Sequence, residues 1–342
     1  MKRIGKRIVA LVAVAAITIT SMVGCGLKDS EVVAKIGDKV LTAGVANFYA
    51  RFQAAGMETY YGSMMGDNMW TQEYSEGVTY EQEIKNGVMT TLQELYLLDI
   101  HAKDYDIKLT DDEMKAIEKA AAAFVKENKD VNLKKVSGNE EVVTEVLRLF
   151  TIQSKMREVM TADVDRKVKD KEAAQKSMQY VTVSFSTTDE EGNTTALTDT
   201  DKQVLKESVE TFARKAKSEK DFEKYAKEKG YEAQVATFDS ETTAPAPELI
   251  AAADKLKVGE TTDLIVTENA CYVARVTSKL DREATDAKKE QIIAEREDKA
   301  YTELVEEWKK ATKIKVYDDV WNKISFMDLK VEVKQEKTEE TK

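Results

Sequence analysis

Few residues in this chain of 342 are equipped for chemistry. There is one histidine, His101, and there are two cysteines, Cys25 and Cys271. That set is too small and too scattered for a zinc-type ligand cluster. No Walker loop, dinucleotide fingerprint or serine nucleophile elbow occurs along the sequence, so no metal and no cofactor is expected. Cys271 stands beside Tyr272 in ACYVARV (residues 270–276), whose alternation reads as a strand. A lone cysteine on an apolar strand is usually a small core residue. His101 falls inside a predicted helix and reads as a packing or surface residue. The Asp/Glu runs read as solvated helix faces.

Cys25 has a different setting. It follows a basic start, MKRIGKR, and an uncharged apolar run of thirteen residues from Ile8 to Thr20. A bilayer-spanning helix needs about 20 such residues, so residues 1–24 read as a signal peptide. Gly24 immediately before Cys25 resembles the lipobox of bacterial lipoproteins, although Met22 stands where leucine is usual. Lipid attachment at Cys25 is therefore expected, with the chain anchored to the outer face of a bacterial cell membrane. An ordinary secretory signal or a retained anchor are the other readings. With Cys25 acylated, Cys271 is the only thiol left and no internal disulfide can form. Loss of the leader removes Lys2, Arg3, Lys6 and Arg7 and takes the net charge from −11 to −15. So acidic a chain repels nucleic acid and anionic lipid surfaces.

The composition, 34% charged and 42% hydrophobic with only 2 Pro, is that of a helix-rich globular chain long enough for two cores. After a linker at 25–31, residues 32–41 predict a hairpin turning at Gly37-Asp38. Thr42 predicts the cap of a helix bearing Val45, Phe48, Tyr49 and Phe52 on one face. Residues 56–70 hold Met57, Met64, Met65, Met69 and Trp70 among three glycines. They read as a glycine-broken loop that either meets an unfolded partner or plugs the core. Ile84, Val88, Leu92, Leu95 and Leu98 form the stripe of a helix over 80–105. Thr110 to Glu113 predicts a capping box, and a long helix is expected over 139–171.

The pattern changes at Met178, where MQYVTVSFS alternates as a strand. Two helices follow, one with Leu205, Val209 and Phe212, the other with Phe222 and Tyr225. A short strand at 236–238 precedes a helix opened by Pro247 and ended by Gly259, and a hairpin closes the series. Residues 284–311 read as helix, Ile314 and Val316 as a short strand, and 329–342 as a disordered charged tail. An α+β insert, 177–280, thus separates two helical flanks, 32–176 and 281–328. Each flank carries apolar stripes that need a partner, so one discontinuous helical domain is expected.

This arrangement resembles the extracytoplasmic foldases of the SurA and PrsA type, whose helical chaperone domain, built from both ends of the chain, carries an inserted parvulin-type peptidyl-prolyl isomerase domain. VVAKIGDKVLTAGVANFY is similar to the family's opening strand pair and helix. LLDIHAKDYDIKLTDDEM is similar to its second element, with a "gi-x-vtd-x-E" turn. Asp221 to Ala226 resembles the parvulin "dF-x-x-lA" helix, 247–260 resembles "p-x-f…aafaLkpGei", and CYVARV resembles "GYHIIKV". The resemblance implies an α+β, mainly helical fold: a discontinuous SurA-N-like chaperone domain with an inserted parvulin-like domain.

The departures are specific. The positions of the family's two strand histidines fall on Tyr180 and Tyr272. Its "GGdLG-x-F" segment is absent except for Phe238, the acid or thiol before it has no counterpart, and the pocket Met and Phe fall near Pro245 and on Leu249. By resemblance Tyr180, Phe238, Leu249 and Tyr272 would contact substrate, and no catalytic residue is assigned. Isomerisation breaks no covalent bond; it must favour a twisted amide against a barrier of about 18–20 kcal/mol. A tyrosine keeps a ring and a hydrogen-bonding hydroxyl, yet loss of both histidines and the glycine segment predicts weak or lost activity. The implied function is a membrane-anchored chaperone for secreted proteins, its partners unfolded or extended polypeptides. An active parvulin-type isomerase is the first alternative, and a solute-binding or structural envelope lipoprotein, which predicts two α/β lobes, the second.

Overall fold

The computed structural model describes residues 15–18, 27–128, 133–189, 191–327 and 329–333. Cys25 lies outside these residues, as does most of the expected leader. Lys330–Val333, expected within a disordered tail, forms a strand that pairs antiparallel with Ala15–Thr18. Among the described residues no helix is long and apolar enough to cross a membrane. The fold is α+β and mainly helical. It divides into two compact units, Met1–Asp163 with Asp298–Lys342, and Val164–Glu297.

The first unit is stitched by a three-stranded antiparallel sheet in the order Ile314–Val316, Val32–Ile36, Lys39–Thr42. Gly37 takes φ +56° in the two-residue turn, a conformation glycine adopts without steric cost. Helix Ala43–Met65 follows directly. Thr42 occupies its N-cap but makes no side-chain cap bond; the amides of Ala43 and Gly44 instead donate to the carbonyls of Glu31 (2.8 Å) and Asp29 (2.9 Å).

Residues 56–65 are not a loop: the helix runs through Gly56 and Gly62 and stops at Gly66, φ +78°. A helical glycine costs about 1 kcal/mol, too little to halt a helix anchored by fully buried Ala50, Ala54 and Ala55. The Gln72 amide donates to the Met65 carbonyl at 2.8 Å and satisfies part of its open end. Met69 and Trp70 then turn inward, with the Trp70 and Phe326 rings 5.1 Å apart.

Helices Tyr80–His101 and Asp111–Glu127 each start with a reciprocal capping box, Thr79 with Gln82 and Thr110 with Glu113. Helix Glu140–Met160 ends eleven residues short of the expected 171. There Thr161 leaves helical geometry at φ −104° and ψ 5°, while its amide still donates to the Arg157 carbonyl at 3.1 Å. These helices bury Leu92, Leu97, Ile117 and Leu149 completely. Tyr301 and Val305, from helix Arg282–Ala311, close a second cluster with Leu98, Ile152 and Met156. Arg148 donates to Asp99 at 2.6 Å and to Glu145 at 2.7 Å, and Lys39 reaches Asp99 at 2.8 Å.

The second unit is a four-stranded antiparallel sheet ordered Ile265–Val266, Ala270–Ser278, Lys176–Ser184, Ala233–Phe238. Helices Asp199–Ala216 and Phe222–Glu228 pack on one face, where Val209, Phe212, Phe222 and Ala226 meet Val181, Cys271 and Val273. Helix Pro247–Ala253 packs on the other, through Leu249, Ile250 and Ala253 against Met178, Ala274 and Val276. Proline at its first position suits a helix start, where no amide donor is missed. The helix ends at Ala253, before Gly259, whose amide instead donates to the Val276 carbonyl at 2.8 Å.

Candidate functional site

Strand pairing sets Tyr180 opposite Ala274 and Tyr272 opposite Thr182. The two tyrosines are therefore diagonal neighbours on one face rather than a direct pair. Phe238 lies on the adjoining strand opposite Lys176, and Leu249 comes from helix Pro247–Ala253. The four residues meet in a single apolar cluster. Phe238 and Leu249 have no exposed surface, Tyr272 is 8% exposed and Tyr180 is half-buried.

This side of the sheet is not bare. Helix Pro247–Ala253 covers it, because Leu249, Ile250 and Ala253 are its buried residues and the sheet is what they pack on. Burial pushes the Tyr272 phenol up, and Tyr180 and Glu248 add to the shift against a hydrogen bond with Thr267. A neutral phenol is what this face offers, with Tyr180 the one accessible ring of the four.

Two neighbours on strand Ala270–Ser278 carry no chemistry. Cys271 has no exposed surface, and burial raises its thiol pKa, which keeps the sulfur protonated and unreactive. Arg275 is 7% exposed and fully engaged. It donates to the Thr261 hydroxyl (2.9 Å) and the Glu219 carbonyl (2.8 Å), reaches the Ala216 carbonyl, and lies 5.5 Å from the Phe222 ring. Its role is to satisfy the end of helix Asp199–Ala216. His101 stacks on Trp308, away from any pocket described here.

A groove of about 370 Å³ lies in the helical unit, and the sequence pattern alone did not single it out. Helix Ala43–Met65 contributes Tyr49, Gln53 and Met57; helix Tyr80–His101 contributes Tyr80, Glu83, Ile84, Gly87, Val88 and Thr91. Tyr74 closes one end from the short hairpin of Glu73–Ser75 with Val78–Thr79, its ring 5.3 Å from that of Tyr80 in an edge arrangement. Gly87 leaves open space on the groove wall, since a Cβ placed there would meet nothing within 4 Å. Beyond the groove helix Ala43–Met65 shows Tyr60 and Met64, 82% and 75% exposed. The methionine cluster therefore splits: Met57 lines the groove, Met64 faces water, and Met69 is core. Chemically the groove has an adaptable aromatic and thioether wall with few polar groups, suited to holding side chains rather than cutting bonds. A glycine between Ile84 and Val88 on a helical stripe was the signal that could have located it.

No family model matches the chain. A foldase protein PrsA of Clostridium botulinum (strain Langeland / NCTC 10281 / Type F) is 30% identical over 232 residues, which is 62% of this chain and 66% of that protein. The PrsA of strain Hall / ATCC 3502 / NCTC 13319 / Type A is 29% identical over 277 residues, 74% of this chain and 79% of that one. Among solved structures, the foldase protein PrsA from Streptococcus pneumoniae str. Canada MDR_19A matches with TM-score 0.30 at 20% identity, over 75% of this chain and 98% of that one. One of the SurA-like chaperones of Campylobacter jejuni matches with TM-score 0.31 at 12% identity, over 84% and 99%. The relationship stands on the sequence matches. Through them the chain is a homologue of the PrsA-type foldases.

Proposed function

We propose that this protein is an extracytoplasmic chaperone, lipid-anchored through Cys25 to the outer face of a bacterial membrane, that holds unfolded stretches of secreted polypeptides. The observation that carries this reading is the groove of Tyr49, Met57, Tyr74, Tyr80 and Gly87 in a homologue of PrsA foldases. The work divides between a holding domain, residues 32–176 with 281–328, and a parvulin-like insert, residues 177–280. The insert is degenerate as an isomerase. Tyr180 and Tyr272 replace histidines, Phe238 and Leu249 are spent on packing, and the accessible ring is that of Tyr180. Such a face contributes a weak peptide contact centred on Tyr180, with Tyr272, Phe238 and Leu249 behind it, and lacks groups that distinguish a twisted amide from a planar one.

The test is suppression of aggregation of a chemically unfolded secreted protein, run beside a protease-coupled prolyl isomerase assay. Suppression at near-stoichiometric amounts with little isomerase acceleration is expected. Strong acceleration without suppression would replace this reading with an active isomerase. For the anchor, Cys25→Ala should abolish lipid labelling and leave an unprocessed precursor.

A further inference from the structure

The groove in the helical unit carries one charged side chain on its wall, Glu83. Every residue lining it falls between Tyr49 and Thr91. The stretch 49–94 that builds it holds seven carboxylates, Glu58, Asp67, Glu73, Glu76, Glu81, Glu83 and Glu94, against two cations, Arg51 and Lys85. Both cations are buried, 7% and 9% exposed. The Arg51 Nε donates to Asn47 at 3.0 Å. The Lys85 ammonium donates to the carbonyls of Trp321 and Ile324, at 3.2 and 2.7 Å, and lies 5.1 Å from the Trp321 ring. Neither residue lines the groove. Asp67, Glu73 and Glu76 are exposed, and Glu83 lines the groove wall itself. A largely aromatic slot with a carboxylate on its wall, built from a stretch whose exposed charges are carboxylates, attracts cations.

We propose, resting on the chaperone reading, that this groove selects client segments in which an apolar or aromatic side chain is flanked by lysine or arginine. The apolar side chain enters against Tyr49, Met57 and Val88, and the flanking cation meets Glu83 and the exposed carboxylates of the same stretch. Segments flanked by Glu or Asp meet like charge in a partly desolvated slot and are rejected.

The experiment uses the full chain and two fluorescent peptides with the same Leu-Phe-Leu centre, one flanked by lysines and the other by glutamates. The lysine peptide should bind more tightly by about tenfold at low ionic strength, with the ratio shrinking as salt is raised. Glu83→Lys should narrow that ratio. Gly87→Trp, which fills open space on the groove wall, should remove binding of the lysine peptide while far-UV circular dichroism is retained. Equal affinity for the two peptides, or binding undiminished in Gly87→Trp, overturns the proposal. If neither peptide binds while the chain still suppresses aggregation, the groove is not the client site: the proposal falls and the chaperone reading stands. If aggregation is not suppressed either, both fall.

Discussion

The imidazole of His101 lies flat against the indole of Trp308, with ring centroids 4.2 Å apart and planes 12° from parallel. Asp104 pairs with the His101 Nδ1 at 2.7 Å and fixes the ring in that position. The chain's one histidine is therefore a packing residue that joins helix Tyr80–His101 to the far end of helix Arg282–Ala311. Trp308→Ala should cost about 2–3 kcal/mol, below the range for a fully buried indole because Trp308 is half-buried. A double-mutant cycle with His101→Ala in denaturant unfolding should give a coupling of about 0.5–1.5 kcal/mol. Strict additivity would remove the stack from the account of this unit's stability.

Asp99 makes a pH-dependent contribution whose sign follows from its partners. Burial by itself would raise its carboxyl, but hydrogen bonds and charge from Arg148 and Lys39 outweigh that and hold it below the ordinary range. A folded-state pKa below the unfolded one adds stability that is complete above the unfolded value of about 3.9. It is lost as pH falls through the folded value. Asp99→Asn should therefore cost about 2–4 kcal/mol at pH 7, since it leaves the half-buried Arg148 with one carboxylate partner fewer. Comparing unfolding of variant and parent at pH 7 and near pH 3, the gap should narrow in acid. A gap independent of pH would mean that the aspartate ionisation is not its source.

Gly87 sits within a helix with open space where a Cβ would stand. Gly87→Ala should stabilise the helical unit by about 0.5–1 kcal/mol by lowering the entropy of the unfolded chain. A thermal melt measures this, and destabilisation would place an unseen neighbour in the groove.

Cys271 is enclosed between strand and helices, with its thiol pKa raised by burial. In a Cys25→Ser variant, an aromatic disulfide reagent should label Cys271 only as fast as the insert opens, and at once in denaturant. Rapid labelling of the folded protein would contradict the packing described for this strand.

Val273 and Tyr180 separate packing from contact within the insert. Val273 has no exposed surface, so Val273→Ala should cost about 1–3 kcal/mol. Tyr180 is half-buried, and Tyr180→Ala should stay within about 1 kcal/mol of the parent while weakening peptide-induced NMR shifts on this face. Shifts unaffected by Tyr180→Ala would leave the sheet as scaffold alone.

Where sequence and structure agree, the determining interactions are local. The Thr110–Glu113 box needs only residues three apart, and its bonds form at 2.8 and 3.2 Å. Alternation in residues 270–276 sends Cys271 and Val273 to one side and Tyr272 and Ala274 to the other because the side-chain period of a strand is two. The stripe of Ile84, Val88, Leu92, Leu95 and Leu98 likewise places its own buried face.

What the sequence by itself determined, then, is which residues share a face and where most helices begin. The tertiary structure alone decided what covers each face. Helix Pro247–Ala253 encloses Phe238 and brings Leu249 into the same core, and packed alanines carry helix Ala43–Met65 through two glycines. Arg51 and Lys85 are spent on buried partners, leaving the carboxylates near Gly87 without a surface cation from their own stretch. Burial and charge compensation depend on partners far apart in sequence, as in the bond from Lys85 to Ile324 across 239 residues, and no local pattern encodes a contact at that range.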